Sequence, residues 1–328
     1  MVTIITPNAQ SIADVGTLLS DGHIVAIPTE TVYGLGADST NDTAVAKIFE
    51  AKGRPQFNPL IAHVNSIDMA EHYADLSTQA KTVAQNFWPG PLTLILPLKP
   101  NSGISKLVTA GLETIGMRMP KHKTARDIIT SLNKPIAAPS ANTSGQLSPT
   151  TPEHVIQSLG ANLEYIVTGG KCDIGLESTI LDMTGEKPCL LRAGAITHED
   201  IETLIGEIDD ATTATENETP KSPGQMLKHY APRTPLRLNA IDLNEGEALL
   251  GFGSMKFIGI KGGGKIQDLP RGHVLNLSEA GDLIEAASNL FSMLHKLDQS
   301  GAKKIAVMNI PDTGIGRAIN DRLQRAVN

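Results

Sequence analysis

The chain has 328 residues, 40% of them hydrophobic, and a formal net charge of −7. That length suits two cores better than one, and the acidic total argues against coating nucleic acid by bulk attraction. No run of about 18 apolar residues and no basic-then-apolar start is present, so membrane insertion and export are not expected and a cytoplasmic location is the default. Aromatic residues make up only 3%, too few for a base-stacking platform, so any phosphate chemistry falls to a few placed cations. Cys172 and Cys189 read as reduced thiols, and without a CxxC spacing no protein-held metal is expected.

Ile24–Ile27 reads as a strand ending at Pro28. A helix follows over Asn41–Lys52, capped by Asn41 or Asp42, with Val45, Ile48 and Phe49 at helical spacing and Gly53 closing it. Leu60–Val64, Leu92–Leu96, Thr114–Met119 and Pro135–Ala138 are short apolar runs of buried-strand length. Pro152 at the first helical position opens a helix to Leu159. This alternation predicts an α/β domain with a largely buried sheet over residues 1–208. Composition changes after Ile208, and 209–235 reads as a linker, poor in large apolar residues at its start and holding Ser222-Pro223-Gly224 and His229-Tyr230-Ala231-Pro232. Over 236–328, strands at Ala248–Gly253, Val274–Leu277 and Lys304–Met308 alternate with helices at Asp282–Gln299 and Ile315–Ala326. That pattern predicts a small open parallel sheet. The stripe Leu290, Phe291, Leu294 and Leu297 is read as core.

Four segments place polar groups and glycines beside element ends. Pro28–Gly36 follows a strand, and its glycines would let backbone approach a ligand. Lys52-Gly53-Arg54-Pro55, with Asn58 and His63 beyond, sets two cations across a helix end, suited to a polyphosphate. The same cations could merely complement the helix C-terminus. Pro139–Gly145, with Ser148 after it, offers hydroxyl, amide and backbone donors for a phosphate, although alone it reads as a turn. Gly175–Ile180 and Leu191–Ile196, which includes Arg192, form the fourth. Gly259–Lys265 fits GxxxxGK, but Ile266 stands where a hydroxyl should hold magnesium, so it reads as a glycine-rich turn.

Five strings, at Pro28–Leu35, Lys52–Ile61, Phe87–Leu94, Pro139–Gly145 and Gly175–Ile180, resemble the YrdC domain, in family order. The linker and the C-terminal piece extend the resemblance to the long, two-domain form of the threonylcarbamoyl-AMP synthases. The resemblance implies a twisted mixed α/β sheet with a concave basic cavity, joined to a small Rossmann-like parallel α/β domain. It implies ATP, L-threonine and bicarbonate as substrates, Mg²⁺ carried on the ATP phosphates, and a tRNA threonylcarbamoyl transferase downstream. By the same resemblance Lys52, Arg54, Ser140 and Asn142 carry catalysis on ATP. Asn58, Thr114, Ser148 and Arg192 join them on the nucleotide, with His229 and Tyr230 folding over the cavity mouth. Thr31, His63, Arg118, Ala138 and Ser178 are expected around L-threonine. Departures are mild: Thr168 precedes Gly169-Gly170 where aspartate is usual, Ala193 replaces a usual proline, and Gln225 a common methionine. A basic cavity would also attract RNA, so a weak tRNA contact is expected. A non-enzymatic RNA-binding module, or a carbamoyltransferase-type use of the domain, stands as the alternative reading.

Overall fold

The computed structural model describes residues 2–212, 229–256, 258–261, 263 and 265–327, with only the backbone of Gln267. Most of the linker, including Ser222-Pro223-Gly224 and Gln225, lies outside the described residues. The strands of the amino-terminal part are β1 (Thr3–Ile5), β2 (Val25–Ile27), β3 (Gly34–Asp38), β4 (Ile61–His63), β5 (Leu92–Pro97), β6 (Thr114–Arg118), β7 (Ile136–Ala137), β8 (Tyr165–Val167), β9 (Thr179–Asp182), β10 (Cys189–Arg192) and β11 (Asp209–Asp210). Its helices are α1 (Ala9–Ser20), α2 (Asp42–Lys52), α3 (Ile67–Tyr73), α4 (Thr78–Phe87), α5 (Lys106–Thr109), α6 (Lys123–Leu132), α7 (Pro152–Leu159) and α8 (His198–Ile205). The strands form one mixed sheet in the order β1-β8-β2-β3-β7-β4-β6-β5-β9-β10-β11. Its last strand, β11, falls within the stretch read from composition as linker.

Local chemistry sets the element ends. The Asn41 side chain accepts from the Ala44 amide at the start of α2, and Gly53 ends it at φ 59°, a left-handed conformation that glycine adopts without strain. Thr151 caps α7 ahead of Pro152.

Strand periodicity divides the sheet's side chains between two faces. One face sends Leu35, Ala37, Ala62, Leu94, Met117 and Leu181 into the main core with α2, α4 and α7. On the other face, Val25, Ile27, Ile136 and Val167 are covered by Val15 and Leu19 of α1 and Ile128 and Ile129 of α6. That second layer stops at β7. Beyond it the same face carries Ile61 and His63 of β4 and Thr114, Gly116 and Arg118 of β6, with Ile61 paired to Gly116 and His63 to Arg118. This half of the face, free of α1 and α6, is where the site forms.

The carboxyl-terminal part comprises β12 (Leu236–Arg237), β13 (Asp242–Leu243), β14 (Glu247–Gly251), β15 (Gly259–Ile260), β16 (Val274–Asn276), α9 (Leu283–Asp298), β17 (Lys304–Val307) and α10 (Gly316–Val327). Four strands make a parallel sheet in the order β12-β17-β14-β16, while β13 pairs with β15. The stripe Leu290, Phe291, Leu294 and Leu297 is buried as expected, but its cluster also takes in Val32, Leu147 and Leu176 from the amino-terminal part and Tyr230. The stripe is therefore core and inter-domain interface at once. Gly175 (φ 74°) marks how close the two parts come, since a Cβ there would sit 2.7 Å from the Ser288 carbonyl of α9. No helix among the described residues is long and apolar enough to cross a membrane.

Candidate active site

Residues from two of the sequence strings converge on one guanidinium. Arg118, at the end of β6, donates from Nη2 to Glu30 Oε1 at 2.6 Å, from Nη1 to Thr31 Oγ1 at 2.9 Å and from Nε to the Gly90 carbonyl at 3.2 Å. Thr29 shapes the first partner segment: its hydroxyl donates to the Val32 carbonyl and accepts from the Thr31 and Val32 amides, a side-chain-closed turn. The Phe87–Leu94 string shapes the other, where the Trp88 indole donates to the Leu92 carbonyl and the Gly90 amide to Met119. Glu30 and Arg118 are 3% and 4% exposed. Burial pushes the Glu30 carboxyl up, yet the Arg118 charge and hydrogen bond hold it below its ordinary value.

Two further guanidiniums face the same space. Arg54 donates from Nε to the Asn58 carbonyl (3.2 Å) and from Nη2 to Pro59 (2.8 Å), and burial lowers its pKa to about 10. Arg192 is aimed by a bulge: the β9–β10 register slips between Leu190 and Arg192, which turns the strand end toward the site. Its Nε reaches the Ser178 carbonyl at 2.9 Å and its Nη2 the Ser178 hydroxyl at 3.1 Å, and that hydroxyl sits 2.8 Å from Thr93 Oγ1. His63 lies beside Arg118. Burial, then the Arg118 charge, depresses its pKa to about 3, so its ring is neutral near pH 7. Its Nδ1 has no hydrogen-bond partner among the described residues.

His229 and Tyr230 close the cavity, their rings 4.0 Å apart. The Ala231 amide anchors them to the Gly145 carbonyl, and the His229 amide donates to Arg325 of α10. Burial, with Arg54 and Lys52 nearby, holds the His229 pKa well below its ordinary value.

Ten residues named from the sequence line this one cavity: Thr31, Arg54, His63, Arg118, Ala138, Ser140, Ser178, Arg192, His229 and Tyr230. Five do not. Lys52 is 1% exposed, and its Nζ donates to the carbonyls of Ser140 and Asn142 at 2.5 Å each. Its own carbonyl accepts from the Ser144 amide. Lys52 thus braces the Ser140–Ser144 loop from behind, and burial lowers its pKa well below the usual lysine value. Asn142 turns its amide into that loop, donating to Thr143 and Gln146 carbonyls at 2.9 Å. Ser148 donates to Glu177 Oε1, and Asn58 backs Arg54 through its carbonyl. Thr114 opens β6, four residues from Arg118 and on the same face, about 13 Å away at ~3.3 Å per residue.

The glycines of the first segment also differ from expectation. Gly34 and Gly36 lie in β3, where a Cβ would meet Ala138 Cβ at 3.1 Å and Ile136 Cγ2 at 2.9 Å respectively, so they serve strand packing rather than ligand approach. Sequence reasoning named neither Glu30, Glu177 nor Arg322 as site residues. Glu30 and Glu177 stand inside the quoted strings, and a search for carboxylates partnering the cations would have found them. Arg322 of α10 carries no local motif.

The model for the Sua5, YciO and YrdC group, described as telomere recombination, matches residues 17–194. A second model, described as threonylcarbamoyl-AMP synthase, C-terminal domain, matches residues 196–327. The chain is 42% identical over 327 residues to the threonylcarbamoyl-AMP synthase of Bacillus subtilis (strain 168), covering 98% of this chain and 94% of that one. It is 39% identical over 318 residues to that of Pyrococcus abyssi, covering 94% and 91%. The solved structure of P. abyssi Sua5 complexed with L-threonine superposes with a TM-score of 0.87 at 35% identity, covering 100% and 97% of the two chains.

Proposed function

This chain belongs to the threonylcarbamoyl-AMP synthase family in its two-domain form, and from that premise we propose that it is a nucleotidyltransferase condensing L-threonine, bicarbonate and ATP. The products are threonylcarbamoyl-AMP and pyrophosphate, and the adenylate passes to a tRNA threonylcarbamoyl transferase for the adenosine 3′ to the anticodon. The observation that carries the reading is the convergence of three buried guanidiniums, Arg54, Arg118 and Arg192, on one cavity of an acidic chain. Cations 4–7% exposed do not form the open basic track an RNA-binding module uses, and they suit a small polyanion instead.

Arg118 takes the threonine carboxylate. A guanidinium has five N–H groups, and the bonds from Nε, Nη1 and Nη2 leave one N–H on each of Nη1 and Nη2. Thr31, Ser178 and the neutral His63 surround the side chain, and a site built to hydrogen-bond a hydroxyl rejects the valine isostere. The threonine amine adds to bicarbonate, giving the carbamate and releasing water. A carbamate oxygen then attacks the α-phosphorus of ATP, which enters as its magnesium complex, and the bond to pyrophosphate breaks. Arg54 and Arg192 steady the charge that builds on the phosphates. Glu30 and Glu177, the carboxylates nearest, are each paired to a guanidinium, so Mg²⁺ rides on the phosphates. Lys52 acts indirectly, by setting the Ser140–Asn142 loop. Thr114 lies along the same face, within the length of an extended nucleotide. His229 and Tyr230 cover the bound substrates in the cytoplasm's water.

With threonine, bicarbonate and ATP, the wild-type chain releases pyrophosphate and the Lys52→Ala plus Arg54→Ala double variant does not. Pyrophosphate release that ignores threonine would sink the assignment.

A further inference from the structure

We propose that Arg322, on the last helix of the accessory domain, is a positioning residue for the active site, latching Tyr230 over the cavity and fixing Glu177 in its wall. The kinetic part of this proposal rests on the synthase reading above.

Arg322 sits on the wrong face of its helix for a cation. Ile319, Leu323 and Ala326 make α10's buried stripe, and position 322 falls three residues after Ile319, on that stripe. Even so it is 1% exposed and the largest fully buried side chain described. An arginine buried there would be replaced by a well-packed apolar residue at little cost, or with a gain, if stability were its only purpose. Its contacts indicate another purpose. Nε donates to Glu177 Oε2 at 3.0 Å and Nη1 to Asp321 Oδ2 at 2.6 Å, and Cζ stands 5.4 Å from the centre of the Tyr230 ring, within cation–π range. Glu177 and Tyr230 both line the cavity, whereas Arg322 does not.

Tyr230 needs such a restraint. Its φ is +62°, a region that costs a bulky residue free energy and persists only where surroundings over-determine it. The ring is held by Phe291 of α9 (5.7 Å between centroids) and by Arg322, both from the accessory domain. Glu177 is held between Ser148 and Arg322. One side chain thus ties the far domain to both the cover and the wall of the cavity.

The test uses the full chain carrying Arg322→Met and, separately, Arg322→Lys, which keeps the charge but loses the fork. Two readouts are taken: steady-state pyrophosphate release, and the initial rate of trypsin cleavage after Lys228, next to the latched pair. Arg322→Met is expected to raise the KM for ATP at least fivefold, leave that for threonine within twofold, and speed cleavage at least fivefold, with Arg322→Lys intermediate. A role in stability alone would lower kcat through the folded fraction at unchanged KM, and that result overturns the proposal. So does a folded Arg322→Met with wild-type KM and cleavage. Should Arg322→Met fail to fold, Arg322→Lys decides: indistinguishable from wild type overturns the latch, and a raised ATP KM sustains it. If the wild type shows no threonine-dependent pyrophosphate release, the synthase reading fails and the cleavage rates alone judge the latch.

Discussion

Replacing Glu30 with glutamine removes one charge from the pair that builds the threonine end of the site. The amide can still accept from Arg118 Nη2, now at 2.6 Å from the carboxylate, but the guanidinium is left buried without its counter-charge. Breaking a buried pair costs about 3–5 kcal/mol, and because the hydrogen bond survives the expected loss is near the lower figure, about 3 kcal/mol. At roughly 2–4 °C per kcal/mol, the melting temperature should fall by about 6–12 °C. The pH dependence has a definite sign. The Glu30 pKa is lowered in the folded chain, so its stabilisation is present above the unfolded value and disappears as pH falls through the folded one. The gap between wild type and Glu30→Gln should therefore be full at pH 7 and shrink in acid below about pH 4. Thermal or urea unfolding across this range, with the KM for threonine at pH 7, measures both parts. A variant that melts within 2 °C (about 1 kcal/mol or less) of wild type at pH 7 and keeps its threonine KM would refute the account of Arg118.

Two other changes probe the junction between the domains. The His154 and His295 rings stack at 3.9 Å, and burial, then the His295 charge, holds His154 at about 4; stability should thus be full above the ordinary histidine pKa and decline as pH falls from there through 4, and His154→Asn should flatten the urea midpoint's decline between pH 7.5 and 5. Gly175→Ala should destabilise by about 1 kcal/mol or more, because φ is +74° and the new methyl would meet the α9 backbone at 2.7 Å; a calorimetric scan matching wild type would contradict this.

Much of the fold could be read where a single local rule governs the outcome. Asn41 and Gly53 bound α2, and Pro152 opens α7, as their capping chemistry dictates. The short apolar runs became β4, β5, β6 and β7 for the same reason. Less was legible where long-range packing decides. Gly34-Leu35-Gly36 looks like a ligand loop, but it is a strand because Ile136 and Ala138 need the space a side chain would fill. The site shows the same division. Arg54 and Arg192 lie in the polar segments and Arg118 was named only through the family resemblance, yet all three reach one cavity, while Lys52, equally prominent in sequence, turns toward Ser140 and Asn142. Arg322 could not be found from its neighbours, since its two cavity-lining partners, Tyr230 and Glu177, lie 92 and 145 residues away in sequence.

The shared apolar cluster has a thermodynamic consequence. Val32, Leu147 and Leu176 pack with Leu290, Phe291 and Leu294, so parting the domains would expose that surface on both sides at about 25 cal/mol per Å². Each half is then more stable for the other's presence, although the amino-terminal sheet keeps a core of its own. The shared surface couples the unfolding of the two parts, so binding energy gained in the cavity also favours the packed carboxyl-terminal helix.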